Sequence, residues 1–323
     1  MNEPRPVRCL NRQRGVALIT ALLVVALATM AAAAMTYRQQ LDVRRTGNTL
    51  ALERGVHYAR GLELWALAAL ELDARESPGL DSRQEPWASE LPVIELPEGR
   101  LRGRLVDLDG RLNLNNLVVD GRRQSDWIAR FERLLTVLNL DPALAQRCVD
   151  WIDVDSTAEP GGAEDDRYLS RQPPYRAANA PFAHLSELRL IDGVTAEVFD
   201  QLAPHVTVLP TPLLPTPVNV NTASIPVLMS LHPAITQQVA TALYQDGQAS
   251  FRSLTDFYAH PSIRPRAQSL LVLQQSVITL DSRFFLARGV IEVEERVRRF
   301  ASLIAEQGGR FDVLWRLPEA AVN

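Results

Sequence analysis

The sequence contains no lysine, and all 34 of its basic residues are arginine. Acidic residues outnumber them, so the formal net charge at pH 7 is −4. General affinity for nucleic acid depends on a surplus of basic side chains. The composition therefore argues against a protein with general, non-specific affinity for nucleic acid.

Cysteine is scarce as well, with Cys9 near the N-terminus and Cys148 far from it. Removal of the N-terminal segment would leave Cys148 alone, which excludes an internal disulfide in the remaining chain. The helical pattern of "ALAQRCVDWI" around Cys148 predicts a buried core thiol and not a reactive one.

Catalytic motifs are also lacking. The 5 histidines stand in neither an HExxH nor a GxSxG context, so they are interpreted as surface or capping residues. They are His57, His184, His205, His232 and His260. The sequence therefore predicts a protein that is not an enzyme.

A long apolar run is present near the N-terminus. Residues 16–35 carry no charge, and as a helix they would span about 30 Å, the thickness of a bilayer's hydrocarbon core. The residues ahead of the run are basic, namely Arg5, Arg8, Arg12 and Arg14 against a single Glu3. This bias predicts a cytoplasmic N-terminus and an exported remainder.

Three interpretations of this segment compete. It could be a secretory signal peptide cut near Ala31–Ala34, a plain membrane anchor, or a type IV prepilin-like leader. In the third, the basic residues 1–15 end in "RQRG" and are cut after Gly15, which leaves Val16 as an N-methylated N-terminus on a retained helix. The chain downstream favours the third interpretation because an amphipathic pattern continues without a breaker until "ESPG" at 76–79.

Strand patterns occur in two separated regions. At 99–110 apolar residues alternate with arginines, which predicts a strand with one solvent-facing side, whereas the proline-rich stretch 77–99 is predicted to be an ordered linker or loop. After residue 275 alternation returns, and Gly308-Gly309 predicts a turn between two strands. Helical patterns fill the region between, with two helices in 126–152 and helix-turn-helix units at 184–202 and 222–246.

These patterns predict an α+β fold in which a helical block interrupts a sheet. The predicted domains are a leader (1–15), an N-terminal helix (16–75, with 16–35 transmembrane), a sheet-containing head (76–115 and 275–323) and an inserted all-helical domain (116–274).

An acidic segment lies inside the insertion. Between residues 150 and 166 it carries seven carboxylates and no basic residue: Asp150, Asp153, Asp155, Glu159, Glu164, Asp165 and Asp166. Carboxylates at this density repel one another, and a hard divalent cation bound by their oxygens commonly compensates the charge. The spacing echoes an EF-hand only partly, since Ala158 stands where that loop needs glycine and Pro160 intrudes. A solvated loop, a structural calcium site and a catalytic carboxylate pair all remain open.

Several motifs together resemble the general secretion pathway protein K family, the large minor pseudopilins of the type II secretion system. They are "QRGVALI" (13–19), "DLDGRLNLNNL" (107–117), "DWIDVD" (150–155), "GGAEDDRY" (161–168), "PPYRAANAPFAHLSELRLIDG" (173–193) and "VNVNTAS" (218–224). The resemblance implies a pilin-like antiparallel sheet with a large inserted helical domain of helix-hairpin-helix or SAM-like units. It also favours the calcium interpretation, with Asp153, Asp155, Glu164 and Asp165 as the predicted ligands.

The resemblance further implies a position in the secretion machinery. Counted from Val16, the fifth residue of the mature helix is Thr20, where most pilins and pseudopilins carry a glutamate that neutralises the N-terminal amine of the subunit above. Its absence predicts a subunit at the tip of the periplasmic pseudopilus. The implied partners are other minor pseudopilins, the major pseudopilin, the prepilin peptidase and the inner membrane, with secreted substrates as further candidates and no nucleic acid.

The alternative function is that of a membrane-anchored helix-hairpin-helix protein that binds DNA during DNA uptake. Such hairpins meet a phosphate through backbone amides of a glycine-rich turn. The second helix-turn-helix unit instead has Pro233 in its turn, and proline has no amide hydrogen to donate.

Overall fold

The computed structural model describes residues 14–97, 99–211, 213–274, 276–293 and 296–319. Residues 1–13, most of the predicted leader (1–15), therefore lie outside the described part of the chain. Contacts divide the protein into two units, Met1–Tyr58 and Ala59–Asn323. Each unit is described by itself below.

The helices and strands have the following bounds. The α-helices are α1 (Arg14–Glu76), α2 (Ser125–Val137), α3 (Leu144–Ile152), α4 (Asp165–Leu169), α5 (Ala196–Leu202), α6 (Ile225–Leu231), α7 (Gln237–Tyr244), α8 (Leu254–Ala259) and α9 (Ala267–Leu270). The strands are β1 (Leu91–Leu96), β2 (Gly99–Asp107), β3 (Leu112–Asn113), β4 (Val118–Val119), β5 (Arg122–Arg123), β6 (Val206–Thr207), β7 (Val218–Asn219), β8 (Ile278–Thr279), β9 (Phe284–Val293), β10 (Arg296–Gln307) and β11 (Arg310–Glu319). Short 3₁₀ helices lie at Pro86–Ala88, Leu114–Leu117, Leu185–Leu190, Gln245–Gly247 and Arg264–Arg266.

The first unit consists of the N-terminal part of α1. Its apolar side chains from Val16 to Met35 are exposed, and an 18-residue window of this helix reaches a mean hydropathy of 2.5. By length and composition the helix could cross a membrane. The predicted uninterrupted helix is confirmed, and it ends at Glu76, where the sequence places its stop signal.

The second unit contains a five-stranded antiparallel sheet in the order β1-β2-β9-β10-β11. The C-terminal part of α1 covers one face of it, and Ala66 and Leu70 join Trp87, Leu105 and Phe285 in a common apolar core. The prediction of a linker or loop for 77–99 is wrong for Leu91–Leu96, which form β1. Most side chains of this edge strand are exposed, so its sequence lacks the alternation that marks a half-buried strand.

The insertion between β2 and β9 has a large core of its own. Its helices bury Phe131, Leu135, Trp151, Tyr168 and Leu228 with many other apolar side chains. Cys148 belongs to this core, as predicted, and burial raises the pKa of its thiol to about 12. The insertion is not purely helical, however, because β3 pairs with β6, β4 with β5 and β7 with β8.

Asparagine side chains extend this pairing into the loops of the insertion. The Asn115 amide accepts from the Phe182 backbone N–H (2.8 Å) and donates to the carbonyl oxygens of Phe182 (3.0 Å) and Leu209 (3.1 Å). Asn221 bonds the N–H and carbonyl of Phe251 in the same way, at 2.7 and 3.1 Å. Each amide substitutes for a neighbouring strand, which explains why "RLNLNNL" and "VNVN" combine apolar residues with asparagines.

Candidate metal centre

The acidic segment lies between α3 and α4. Helix α3 ends at Ile152, the loop follows, and α4 begins at Asp165. Trp151 of α3 packs edge-on against Tyr168 of α4, with ring centroids 5.2 Å apart. The two ends of the loop are therefore held together by buried aromatic packing and not by a disulfide.

Three of the four predicted ligands come together in this loop. One carboxylate oxygen from each of Asp153, Asp155 and Glu164 lies within 4.8 Å of the other two. We call these three residues the loop cluster. Asp153 and Glu164 are only 7% and 3% exposed, whereas Asp155 faces solvent. The cluster is thus a partly buried group of oxygen atoms with one open side.

The buried oxygens of the loop cluster lack hydrogen-bond donors. Asp153 Oδ1 and both carboxylate oxygens of Glu164 are buried without a partner among the described residues. Burial, together with the charges of Asp150, Asp153, Asp155 and Asp165, raises the pKa of Glu164 to about 7. Burial and the charge of Asp155 also raise the pKa of Asp153. These carboxylates need either protons or a cation.

Asp150 lies beside the loop cluster and interacts electrostatically with Asp153 and Glu164, and the ligand prediction did not include it. Its side chain is fully buried on α3, and its Oδ2 accepts from the Glu159 backbone N–H at 3.2 Å, while Oδ1 has no partner in the part of the chain that the structure describes. Gly162 passes so close that an added Cβ would lie 1.9 Å from Asp150 Oδ2. The signal was available, because Asp150 precedes Asp153 by one helical turn and both therefore face the same side.

The structure does not bring Asp165 into the loop cluster. Its carboxylate accepts from the Ala177 backbone N–H at 3.0 Å and lies 3.3 Å from the guanidinium of Arg176. Glu159 likewise forms an ion pair with Arg123. Arginines distant in sequence therefore neutralise two of the seven carboxylates, and the remaining unpaired oxygens concentrate in and beside the loop cluster.

The oxygen atoms of the loop cluster have the chemistry of calcium ligands. Calcium takes oxygen ligands from carboxylates, carbonyls and water in flexible geometry, and the loop cluster offers oxygens alone. Two carboxylate oxygens bound to one Ca²⁺ at about 2.4 Å can lie up to about 4.8 Å apart. A bound ion would satisfy the buried oxygens that the protein leaves without donors.

The predicted residues of the N-terminal segment all lie in α1. Gly15 and Val16 are in its first turn, and Val16 is exposed. Thr20 donates its hydroxyl back to the carbonyl oxygens of Val16 (3.1 Å) and Ala17 (3.0 Å). This local bond is common for threonine in membrane helices, and it leaves no carboxylate at the fifth position of the predicted mature helix.

Comparisons with known proteins decide the family. Two models described as "Type II secretion system (T2SS), protein K" match residues 110–211 and 218–274, which together cover most of the insertion. The type II secretion system protein K of Pseudomonas aeruginosa is 39% identical over 260 residues, covering 77% of each chain. The chain belongs to the type II secretion system protein K family.

Other protein K sequences match over almost their full length. The one from Klebsiella pneumoniae is 30% identical over 319 residues, covering 95% of this chain and 96% of that protein. Among solved structures, a chain of the GspK-GspI-GspJ complex from enterotoxigenic Escherichia coli matches with a TM-score of 0.73 and 27% identity. The match covers 86% of this chain and 100% of that one, and it identifies this protein K as a minor pseudopilin. None of these similarities supports the DNA-uptake alternative.

Proposed function

We propose that this protein K caps the tip of a periplasmic pseudopilus, in a complex with two smaller minor pseudopilins. The observation that carries the proposal is the similarity to a chain of the GspK-GspI-GspJ complex, which extends over 86% of this chain. A size argument supports it, because the insertion adds a second core beside the sheet, and a head of this bulk would clash in a tightly wound shaft. The protein acts as an assembly component and not as an enzyme.

The N-terminal helix supplies the second argument. A carboxylate at the fifth position neutralises the amine of the subunit above in a packed pilus, and here Thr20 bonds only to its own helix. A subunit without that acid has no need of a neighbour above. We therefore place it at the end of the fibre, processed after Gly15 with an N-methylated Val16, anchored in the inner membrane and with a periplasmic head.

This function can be tested by purifying the tagged full-length chain from membranes. The other pseudopilins of its secretion system are produced in the same cells. We expect one copy of each of two smaller minor pseudopilins per chain. Intact-mass analysis should show a polypeptide that begins at Val16 with one added methyl group. Immunogold labelling of overproduced pseudopili should mark one end of each fibre.

Three outcomes would contradict the proposal. Gold along the whole shaft would place the subunit in the body of the fibre. A mass that begins at Met1, or near Ala34 with the apolar segment lost, would refute the processing step. Thr20→Val serves as a control variant, because it keeps the side-chain shape and introduces no carboxylate at the fifth position. Gold should still mark one end of each fibre in this variant.

We further propose that the loop cluster holds a structural calcium ion. Asp153, Asp155 and Glu164 would bind it, with Asp150 immediately beside them and backbone carbonyl or water oxygens completing the shell. A chain with Cys148 as its sole cysteine after processing has no disulfide to cross-link this loop. In the calcium-rich periplasm, the ion would cross-link it instead.

Limited proteolysis reports on this loop directly. Between Asp150 and Asp166 the chain offers no site for trypsin, but the exposed Val154–Asp155 bond is open to a protease that cleaves before aspartate. We expect cleavage before Asp155 in the full-length chain to become at least about tenfold faster when a chelator removes calcium, because local opening exposes the loop. Added calcium should restore protection.

Two variants separate a calcium site from a merely acidic loop. Glu164→Gln should be cleaved rapidly with or without calcium, since a buried ligand is lost. The exposed neighbour Asp166→Asn removes the same charge without touching the loop cluster, so it should keep the calcium response. Equal cleavage of the unmodified chain with and without chelator would return the loop to the solvated interpretation.

A further inference from the structure

A second group of acidic side chains, separate from the loop cluster, lies where α1 ends. Asp73 is in the last turn of α1, and Asp81 and Glu85 follow on the segment that leads to β1. One carboxylate oxygen of each lies within 4.8 Å of the other two. We call these three residues the helix-end cluster.

Asp73 is buried and Asp81 and Glu85 are half-buried, and the helix-end cluster has few hydrogen-bond donors. Asp73 is 8% exposed, and within the described residues its carboxylate has neither a hydrogen-bond donor nor an ion-pair partner. Glu85 Oε1 is also buried without a partner, although Glu85 Oε2 accepts from the Ser82 backbone N–H and from Trp87 Nε1. The carboxylates of Asp73 and Glu85 thus lie close together with oxygens that have no donor, which is costly without a compensating charge.

The nearby arginines are engaged elsewhere. Arg75 extends towards Glu71 at 3.7 Å, and Arg83 donates to the Thr222 carbonyl and lies over the ring of Tyr244. Burial first, and then the charges of Glu85 and Glu76, raise the pKa of Asp73 to about 7. Burial also raises the pKa of Asp81 to about 8. Among the described residues, no arginine therefore pairs with any of these three acids.

The end of a helix adds to the demand for positive charge. The last carbonyl groups of α1 carry partial negative charge, which disfavours a carboxylate such as Asp73 and favours a cation there. The atoms available as metal ligands are all carboxylate oxygens, as calcium and magnesium require. Magnesium at about 2.1 Å needs near-ideal octahedral geometry, whereas calcium tolerates the wider spacing of a loop and a helix end.

We propose that Asp73, Asp81 and Glu85 form a second calcium site, independent of the loop cluster. Water molecules would complete its shell. Because Asp73 lies on α1 and the other two ligands on the following segment, the ion would tie the end of the helix to the chain that enters the sheet.

Asp81 also connects this site to the junction between the insertion and the sheet. Its backbone N–H donates to the Leu280 carbonyl (2.8 Å), and its Oδ2 accepts from the Ser282 N–H (2.7 Å). Its carbonyl accepts from Asn219 Nδ2 at 3.0 Å. An ion bound to Asp81 would therefore stiffen the point where the chain leaves the insertion and starts β9.

Terbium luminescence offers a direct test because Trp87 lies beside the site. Trp87 Nε1 is 3.2 Å from Glu85 Oε2, close enough for excited tryptophan to sensitise a bound Tb³⁺. The test uses the full-length chain in detergent with Asp153→Asn and Glu164→Gln, which remove two loop ligands. We expect one equivalent of Tb³⁺ to give sensitised emission that calcium displaces and that Trp87→Phe largely removes.

Variants at the site make the test specific. Glu85→Gln should weaken Tb³⁺ and calcium binding at least tenfold, because one of three carboxylate ligands is lost. Glu90→Gln removes an exposed carboxylate from the same segment and should leave binding unchanged. With chelator, Glu85→Gln should melt at or above the temperature of the parent chain, since repulsion is relieved; with calcium, only the parent should gain stability.

Absence of sensitised emission in the chain with the altered loop would overturn the proposal. Equal calcium affinity of the Glu85→Gln and Glu90→Gln chains would also overturn it. These outcomes leave the loop cluster and the tip function untouched, since proteolysis at Asp155 and labelling of fibres test those separately.

Discussion

Replacing Arg316 with methionine is expected to lower the free energy of unfolding of the Ala59–Asn323 unit by about 3 kcal/mol, or roughly 6 to 10 °C in Tm. Arg316 lies on β11 and forms a two-pronged ion pair with Glu63 of α1, with Nε 2.6 Å from Oε1. Glu63 is 5% exposed and also accepts from the Ser302 hydroxyl. Without the guanidinium, a buried carboxylate loses its countercharge. Calorimetry of the full-length chain in detergent would measure the loss.

A double-mutant cycle shows whether the orphaned charge is the cause. Glu63→Gln combined with Arg316→Met should recover much of the stability, because no charge is left buried. Arg310→Met, at the exposed start of the same strand, should change stability by no more than about 0.5 kcal/mol. A double variant as unstable as Arg316→Met alone would mean that packing, and not charge, dominates at this position.

Replacing Asn115 with leucine is expected to cost about 3 kcal/mol or more. The substitution keeps a side chain of similar size, but it removes every partner that the Asn115 amide provides to Phe182 and Leu209. The Leu209 carbonyl keeps a hydrogen bond from Asn113 Nδ2 at 3.2 Å, but the buried N–H and carbonyl of Phe182 lose theirs, and each unsatisfied group costs about 1 to 3 kcal/mol. Thermal unfolding followed by near-ultraviolet circular dichroism would detect the loss, since the affected residues border the aromatic core of the insertion.

Gln238→Leu supplies the comparison for that variant. Gln238 is an exposed amide on α7, so its replacement should change stability by no more than about 0.5 kcal/mol. If Asn115→Leu were equally harmless, the interpretation of the asparagines as substitutes for neighbouring strands would be wrong. In that case water could satisfy the loop backbone without them.

Long periodic segments were predictable from the sequence. The uncharged run at 16–35, the amphipathic continuation and the stop at "ESPG" predicted one helix, and the structure has it as Arg14–Glu76. The hairpin at Gly308-Gly309 was predictable for a related reason, since both glycines adopt the positive φ that tight hairpin turns require. These features depend on interactions between residues close in sequence.

Edge strand β1 was not predictable in the same way. Its residues face solvent on both sides over most of its length, so its sequence lacks an alternating pattern, and pairing with β2 alone makes it a strand. The short pairs β3–β6 and β7–β8 were not predictable either, because each joins segments that lie far apart in the chain. A two-residue strand carries too little pattern to be recognised before its partner is known.

The candidate metal site was predictable as a segment but not as a geometry. Charge density marked 150–166 and led to Asp153, Asp155 and Glu164. It also led to Asp165, because the pairing of that residue with Arg176 depends on how α4 packs against the following loop. The helix-end cluster left no comparable signal, since its three acids are spread over thirteen residues and only the end of α1 brings them together.

The sequence by itself determined the long apolar helix, the interruption of a sheet by a helical region and the resemblance to the family, because each follows from local composition, periodicity or motifs. Tertiary structure alone decided which carboxylates share a space and which find an arginine. A charge in water costs little wherever it lies along the chain, whereas a buried charge depends on partners that folding brings from distant positions. Burial is what turns some of these acids into candidate ligands and leaves the others as ordinary ion pairs.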